Sequence, residues 1–414
     1  MAQSIWSHRF DNGLVLVAES MPWVESAAFT MILPAGCTRD PDSRLGLANY
    51  TCEMVQRGCG DLDSRGFIET LDRLGADRTA SVSQSHTSFG AAMLAENLFP
   101  TIGIYADVVQ RPGLPERQLE DGRMVCFQEL HAIEDDLAQK VMLSAQEQTY
   151  PTPWGRRSQG ELSHVEQISQ GDIQGFHRSN YRPDNAIISV AGKVNWPALK
   201  DEVGRLFGDW QTLPQDELTE TLSHVKYQHI QHDSSQTQIA VAYPTVPYSD
   251  PLYFVSRGAV GVLSDGMSSR LFTEVRERRG LCYTVYASYH SLRDEARVFC
   301  YSATSTDRAQ ETLDVIVQEL VQLTDGINDA ELHRLKARVK SALIMQQESS
   351  PARSGSMAGD WYHLGRVRTL EEISEVFDSL TVDSINKYLA EHPPSDFVVA
   401  TLGEQTLELP VAVS

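Results

Sequence analysis

The sequence predicts an α/β protein of the layered α+β kind, made of two related halves, each a mixed β-sheet packed by helices. Three observations predict it. The 414 residues, 41% of them hydrophobic, suffice to bury more than one core. Apolar, β-branched runs alternate with helical segments along the chain. One block then recurs: "DIQGFHRSNYRPDNAIISVAG" (172–192) reads like "SINKYLAEHPPSDFVVATLG" (384–403), each a helix, a Pro-marked turn, an apolar strand and a Gly. Ile173 and Phe176 match Ile385 and Tyr388 at an offset of 212 (385 − 173, 388 − 176), and Pro183 and Gly192 match Pro394 and Gly403 at 211. Upstream, "LPERQLEDGRMV" and "INDAELHRLKARV" open comparable long helices at a similar offset.

Within the first half, residues 13–36 read as two strands around a Met-Pro turn. A polar loop, "CTRDPDSR", follows, with Ser43 as the N-cap candidate for a helix at "GLANYTCEM" (46–54). A second helix at "SRGFIETLDRLGA", a strand at "SQSHTSFGAAML" and an amphipathic helix near 95–110 come next. One long helical segment is expected from about Pro115 to Gln148, with Leu119, Val125, Phe127 and Leu130 among its apolar positions. The polar, Pro-interrupted stretch around 209–229 reads as a linker, dividing the chain into 1–212, a linker at 213–228, and 229–414.

Thirty-five basic against 56 acidic side chains give a net charge of −21, which argues against nucleic acid and anionic membrane as partners. The N-terminal "MAQSIWSHRFDNGLVLVAES" lacks the basic start and apolar core of a secretory signal, and nowhere do about 18 uncharged apolar residues run together. The expected location is cytoplasmic. Six scattered cysteines without a C-x-x-C pair read as reduced core residues.

In "GLANYTCEM", Asn49, Cys52 and Glu53 stand at i, i+3 and i+4, the spacing at which side chains share one helical face. The pattern H-x-x-E-H uses that face to bind zinc through two histidines, with the Glu as general base. None of the three residues here is a histidine. The spacing alone leaves open a metal site with unusual ligands, the remains of one, or an ordinary helix.

The run "DNGLVLVAESMPWVESAAFTMILPAGCTRDPDSRLGLANYTCEMVQRG" resembles the start of the insulysin, pitrilysin and mitochondrial-processing-peptidase family, which reads G-[LI]-A-H-F-L-E-H-M where this chain has GLANYTCEM. The resemblance implies that Asn49 replaces the first zinc histidine, Cys52 the catalytic Glu and Glu53 the second histidine. It also implies that Glu129, in "GRMVCFQEL", stands for the third ligand, at the required 76 residues from Glu53 (129 − 53). One ligand of three survives. Loss of both imidazoles removes most zinc affinity, and a cysteine cannot replace a carboxylate as base. No cofactor is therefore expected in this chain. A rearranged site of Cys52, Glu53 and Glu129 is the competing reading, opposed by carboxylates that would raise the thiol's pKa.

In the second half, "SDGMSSRLFTEVRERRGLCYTVYASY" (264–289) resembles the family's C-terminal motif, whose Arg and Tyr, seven residues apart, bind peptide and support the transition state. The matching residues are Arg276 and Tyr283. The blander account puts Arg276 in a salt bridge with a nearby Glu and packs Tyr283 in a strand. His229 and His232 in "YQHIQHD" read as a solvated pair, since three residues apart on a strand they face opposite sides. Gly266 lacks the following G-K-[ST] of a nucleotide loop.

The resemblance implies that chains of this kind form half of a clamshell around unfolded peptides, a zinc-bearing half facing an Arg/Tyr-bearing half. The expected role is the non-catalytic subunit of a heterodimeric zinc peptidase, its partner a homologous chain with H-x-x-E-H intact and zinc bound. A purely structural or peptide-binding homologue is the alternative, an autonomous enzyme with altered ligands a third. A homodimer of the isolated chain stays open.

Overall fold

The computed structural model describes residues 3–212, 214, 217–222, 225–346 and 348–413. Of the segment read as a linker, Leu213, Gln215, Asp216, Ser223 and His224 lie outside the described residues.

The strands are β1 (Ser4–Arg9), β2 (Val15–Ser20), β3 (Ser26–Leu33), a short hairpin β4 (Gly58–Cys59) and β5 (Leu62–Asp63), β6 (Asp77–Val82), β7 (Thr87–Leu94), β8 (Ile187–Gly192), β9 (Tyr227–Gln231), β10 (Gln236–Thr245), β11 (Cys282–Ser291), β12 (Ala296–Ser305) and β13 (Val398–Gly403). The α-helices are α1 (Leu47–Val55), α2 (Ser64–Arg73), α3 (Leu98–Gln110), α4 (Leu119–Asp135), α5 (Leu137–Thr149), α6 (Leu162–Val165), α7 (Gln170–Asn180), α8 (Trp196–Phe207), α9 (Tyr253–Ser264), α10 (Ala309–Gln322), α11 (Asp329–Gln346), α12 (Ser350–Leu364), α13 (Leu370–Ser379) and α14 (Val382–Glu391).

Two compact units result. The first combines residues 1–132, 156–220 and 344–369, and the second 133–155, 221–343 and 370–414. The first unit's sheet runs β1-β2-β8-β3-β7-β6, with β2 and β8 parallel and every other pair antiparallel. The second runs β11-β12-β10-β13-β9, with β9 and β13 parallel and the rest antiparallel. Read from opposite ends, β2-β8-β3-β7-β6 and β9-β13-β10-β12-β11 are the same topology, so the repeated block belongs to a repeated domain. Its two copies share chemistry as well. Ser169 and Thr381 each open their helices, α7 and α14, with a capping box, and β8 and β13 are buried at all six positions.

Both units are three-layered because strand alternation sends successive side chains to opposite faces. In the first, Val15 and Val17 meet Met357 and Ala358 of α12, while Leu14, Leu16 and Ala18 face the core under the other helices. In the second, Ala240 and Ala242 meet Val141 and Ala145 of α5, while Ile239 and Val241 face Val260, Leu263, Leu313 and Ile316.

These outer helices explain why the compact units are not continuous halves. The segment containing α5 joins the second unit and that containing α12 joins the first, at equivalent places in the repeat (350 − 137 = 213). The single long helix expected over 115–148 is in fact two, separated at Asp136, whose side chain accepts from the Gln139 N–H as N-cap of α5. The chain changes unit in the last turn of α4. Strands β1 and β6 carry no strong apolar pattern and went unread in the sequence, whereas β9 begins at Tyr227, inside the stretch read as linker. Among the described residues no helix is long and apolar enough to cross a membrane.

Candidate active site

Helix α1 does not begin at Ser43. Its N-cap is Gly46, at φ 95°, with no side-chain cap of its own. The buried carboxylate of Asp40 takes the capping role, accepting the N–H groups of Gly46 and Ala48, each at 2.8 Å. Burial pushes its carboxyl up to about 7, against the pull of those N–H groups. Gly46 suits the place because its backbone is left-handed and a Cβ there would lie 2.6 Å from the Gln159 carbonyl oxygen.

Helix α4 approaches α1 closely at Gly122, where a Cβ would meet Met54 Sδ at 2.6 Å and Tyr50 Cε2 at 3.1 Å. Tyr50 donates its hydroxyl to the Leu119 carbonyl, and Arg123 lies over its ring at 5.4 Å. This contact brings Asn49 and Glu129, 80 residues apart, together: Asn49 Nδ2 donates to Glu129 Oε2 at 2.6 Å. Partial burial raises the Glu129 pKa, helped by the nearby Glu53 charge and opposed by the Asn49 bond. Glu53 is held from its own helix by Arg57, which donates from Nε and Nη2 to Oε1 at 3.0 and 2.7 Å. Cys52 is buried, and its thiol pKa is driven well above the ordinary value by burial, then by Glu53, Glu129 and Cys126.

All four positions taken from the sequence thus meet in one place. Sequence reasoning missed Cys126, one helical turn before Glu129 and itself buried, and Arg57, four residues after Glu53. The i, i+4 spacing of Glu53 and Arg57 was the available signal for the latter.

The second candidate site rests on two backbone irregularities. Residues Phe272–Arg278 form a π-helical stretch, a rare conformation concentrated at functional sites. Strand β11, an edge of its sheet, has a register shift between Cys282 and Thr284, so Tyr283 sits in a β-bulge. The bulge turns Tyr283 outward, 81% exposed. Arg276 is stacked between aromatic rings, its guanidinium carbon 4.7 Å from the Phe272 centroid and 4.7 Å from that of Tyr283. Among the described residues Arg276 makes no ion pair; neighbouring Glu274 pairs with Arg278 instead. The salt bridge and strand packing of the blander account are therefore not what the fold contains. Phe272, four residues before Arg276 on the same helical face, is a further residue the sequence reading missed. His229 lies in β9 with Nδ1 2.9 Å from Thr401 Oγ1, as part of the sheet.

Two family profiles match the chain: "Insulinase (Peptidase family M16)" over residues 15–157 and "Peptidase M16 inactive domain" over 167–339. The chain belongs to the insulinase family, M16. It is 26% identical over 385 residues to an "uncharacterized zinc protease" of Rickettsia felis, covering 91% of this chain and 92% of that one. It is 23% identical over 400 residues to the mitochondrial-processing peptidase subunit beta of Saccharomyces cerevisiae, covering 91% and 86%. Its fold matches a crystal structure described as an M16 inactive domain from Pseudomonas fluorescens, with a TM-score of 0.88 and 19% identity over 98% of this chain and 99% of that one. A protease from Helicobacter pylori matches with the same TM-score and identity, over 97% and 100%.

Zinc, which the name of the Rickettsia felis relative carries, does not fit the donor set of α1 and α4. An amide N–H of Asn49 occupies a lone pair of Glu129, Arg57 engages Glu53, and burial keeps Cys52 a thiol. Among the described residues no group of three or more His, Cys, Asp and Glu side chains is arranged to hold a metal ion.

Proposed function

We propose that this chain is a non-catalytic subunit of a heterodimeric M16 zinc peptidase, supplying Arg276 and Tyr283 to the active site of a homologous partner. The observation that carries this reading is a contrast. At α1 the donor groups are engaged with one another, whereas Arg276 and exposed Tyr283 are stacked together and free of competing ion pairs among the described residues.

The stack suits the work. A guanidinium held between rings can donate to a peptide carbonyl without first giving up a carboxylate. A projecting phenol can donate to the oxyanion that forms when a peptide carbonyl is attacked, the kind of interaction that raises kcat because it strengthens in the transition state. Zinc would be bound by the partner, a chain with H-x-x-E-H intact, and the substrate would be an unfolded peptide. The complex is expected in the cytoplasm.

A peptide-binding subunit without a part in hydrolysis is the second reading, and β6 favours it. That edge strand borders α1, and its residues are exposed from Asp77 to Ser81, leaving backbone groups open to an added extended strand.

Co-expression with a homologous H-x-x-E-H chain and a peptide-cleavage assay separate the two. Arg276→Ala and Tyr283→Phe are expected to lower turnover by about 10²–10³-fold, the range for removing an oxyanion donor, with assembly intact. Unchanged turnover in both variants overturns the contributed-site reading; peptide binding that never leads to hydrolysis supports the second.

A further inference from the structure

In the second unit, two adjoining cavities of about 560 and 230 Å³ form one cleft between the 268–279 segment, α10 and α11, sharing Ser268, Glu331 and Arg334. The sequence excludes a nucleotide loop here, but the fold adds arginines from two other places in the chain. Arg279, Arg334 and Arg338 line the cleft, and among the described residues none of their guanidinium groups makes an ion pair or hydrogen bond.

The neighbouring acids form no bond to them: Arg334 acts on Glu331 and Arg279 on Glu319 through space, each favouring the charged carboxylate, but the bonds those acids make go elsewhere. Glu331 is held by Arg270 through bonds of 2.8 and 3.0 Å, Glu274 by Arg278, and Asp265 by Arg257 at 3.2 Å. Glu319 is buried, and burial together with Glu274 raises its pKa against the pull of Arg270, Arg279 and Arg278. Guanidinium groups without a bonded partner among the described residues therefore collect in a concavity of a chain whose net charge is −21.

Arg334 and Arg338 are four residues apart on α11, so they project from one face and repel each other unless an anion lies between them. Gly266, at φ +103°, lets Arg338 turn toward the loop: a Cβ there would lie 2.8 Å from Arg338 Nη1. Ser268 and Ser269 add hydroxyl donors on the same wall.

We propose that this cleft binds a multivalent oxyanion, with Arg334 and Arg338 as the main cationic contacts, Arg279 at the far end and Ser268 and Ser269 donating from the loop. Guanidinium forks match the paired oxygens of phosphoryl and carboxylate groups, and the volume is that of an ordinary small-ligand site. This site is independent of the reading of Arg276 and Tyr283.

The test is isothermal titration of the full chain at fixed ionic strength, with inorganic triphosphate, orthophosphate and citrate as probes. One saturable site per chain is expected for triphosphate or citrate, weakened at least tenfold by Arg334→Ala or Arg338→Ala and abolished by Arg334→Glu with Arg338→Glu. Arg293→Ala, an exposed arginine outside the cleft, should leave it unchanged. Triphosphate binding tighter than citrate assigns a phosphoryl ligand, and the reverse assigns a polycarboxylate. Absence of saturable binding for all three probes overturns the proposal, as does affinity unaltered in the charge-reversed double variant or lost equally in Arg293→Ala.

Discussion

At position 49, which the family resemblance assigns to a zinc histidine, an amide stands and donates a hydrogen bond to Glu129. Each of the other replacements settles the same way: Glu53 finds Arg57, and Cys52 sinks into the core. Charge at a single half-buried residue also sets a pH dependence. His86, between β6 and β7, has its ring tilted against Tyr362 at 5.3 Å, and its Nδ1 finds no partner among the described residues. Burial, with His363 nearby, pushes its pKa down from 6.5 to about 4. A folded pKa below the unfolded one means the unfolded chain takes up the proton first. Stability from this group is therefore complete above pH 6.5 and lost as pH falls toward 4, by roughly 3 kcal/mol. Denaturant unfolding across that window should show a slope against pH that His86→Leu reduces by about one proton; an unchanged slope would contradict the assignment. Asn49, Cys52, Glu53 and Glu129 could be placed together from the sequence because the family spacing points to them. Phe272 and the bulge at Tyr283 could not, because neither a ring four residues upstream nor a local register shift alters composition or periodicity.

Among the elements, α12 is the one whose role the sequence conceals. Its residues "SPARSGSMAGDWYHL" are small and polar, yet they cover the outer face of the first sheet. A buried ionic network ties it down: Arg353 Nε donates to Glu19 on β2, Arg353 Nη2 to the Arg368 carbonyl at 3.2 Å, and Gln3 to Glu19 at 2.8 Å. Arg353→Ala leaves Glu19 a buried charge without its cation and should cost about 3–5 kcal/mol in chemical denaturation. Arg353→Met together with Glu19→Leu should recover most of that loss, because the desolvation cost goes with the charges. A single substitution with no effect would mean the pair is not the anchor. On α1, Asp40→Ala should cost about 1–3 kcal/mol by stranding the Gly46 and Ala48 N–H groups, read from the same melts. The repeat units α7–β8 and α14–β13 were legible because capping boxes, Pro-marked turns and fully apolar strands are local signals. The exchange of α5 and α12 was not, since which sheet a helix covers is decided by tertiary packing and leaves no mark in the helix's own period.

For the molecule as a whole, that exchange predicts that cutting the chain at its apparent midpoint fails. A fragment of residues 1–212 lacks α12 and bares Val15, Val17, Ile32 and Ile187; residues 213–414 lack α5 and bare Ala240, Phe299 and Leu402. Each alone should aggregate, and co-expression should restore a soluble complex by gel filtration. A monodisperse 1–212 fragment would show that α12 is dispensable. On the function proposed above, the first unit keeps the scaffold of an M16 zinc site without its chemistry, and the second supplies Arg276 and Tyr283. Zinc content per chain, measured by elemental mass spectrometry on the isolated protein and on the variant carrying Asn49→His, Cys52→Glu and Glu53→His, tests this most directly. The account predicts no stoichiometric zinc in the natural chain and about one zinc per chain in the rebuilt one, lost again on Glu129→Ala. Stoichiometric zinc in the natural chain that disappears with Cys52→Ala or Glu129→Ala would contradict it.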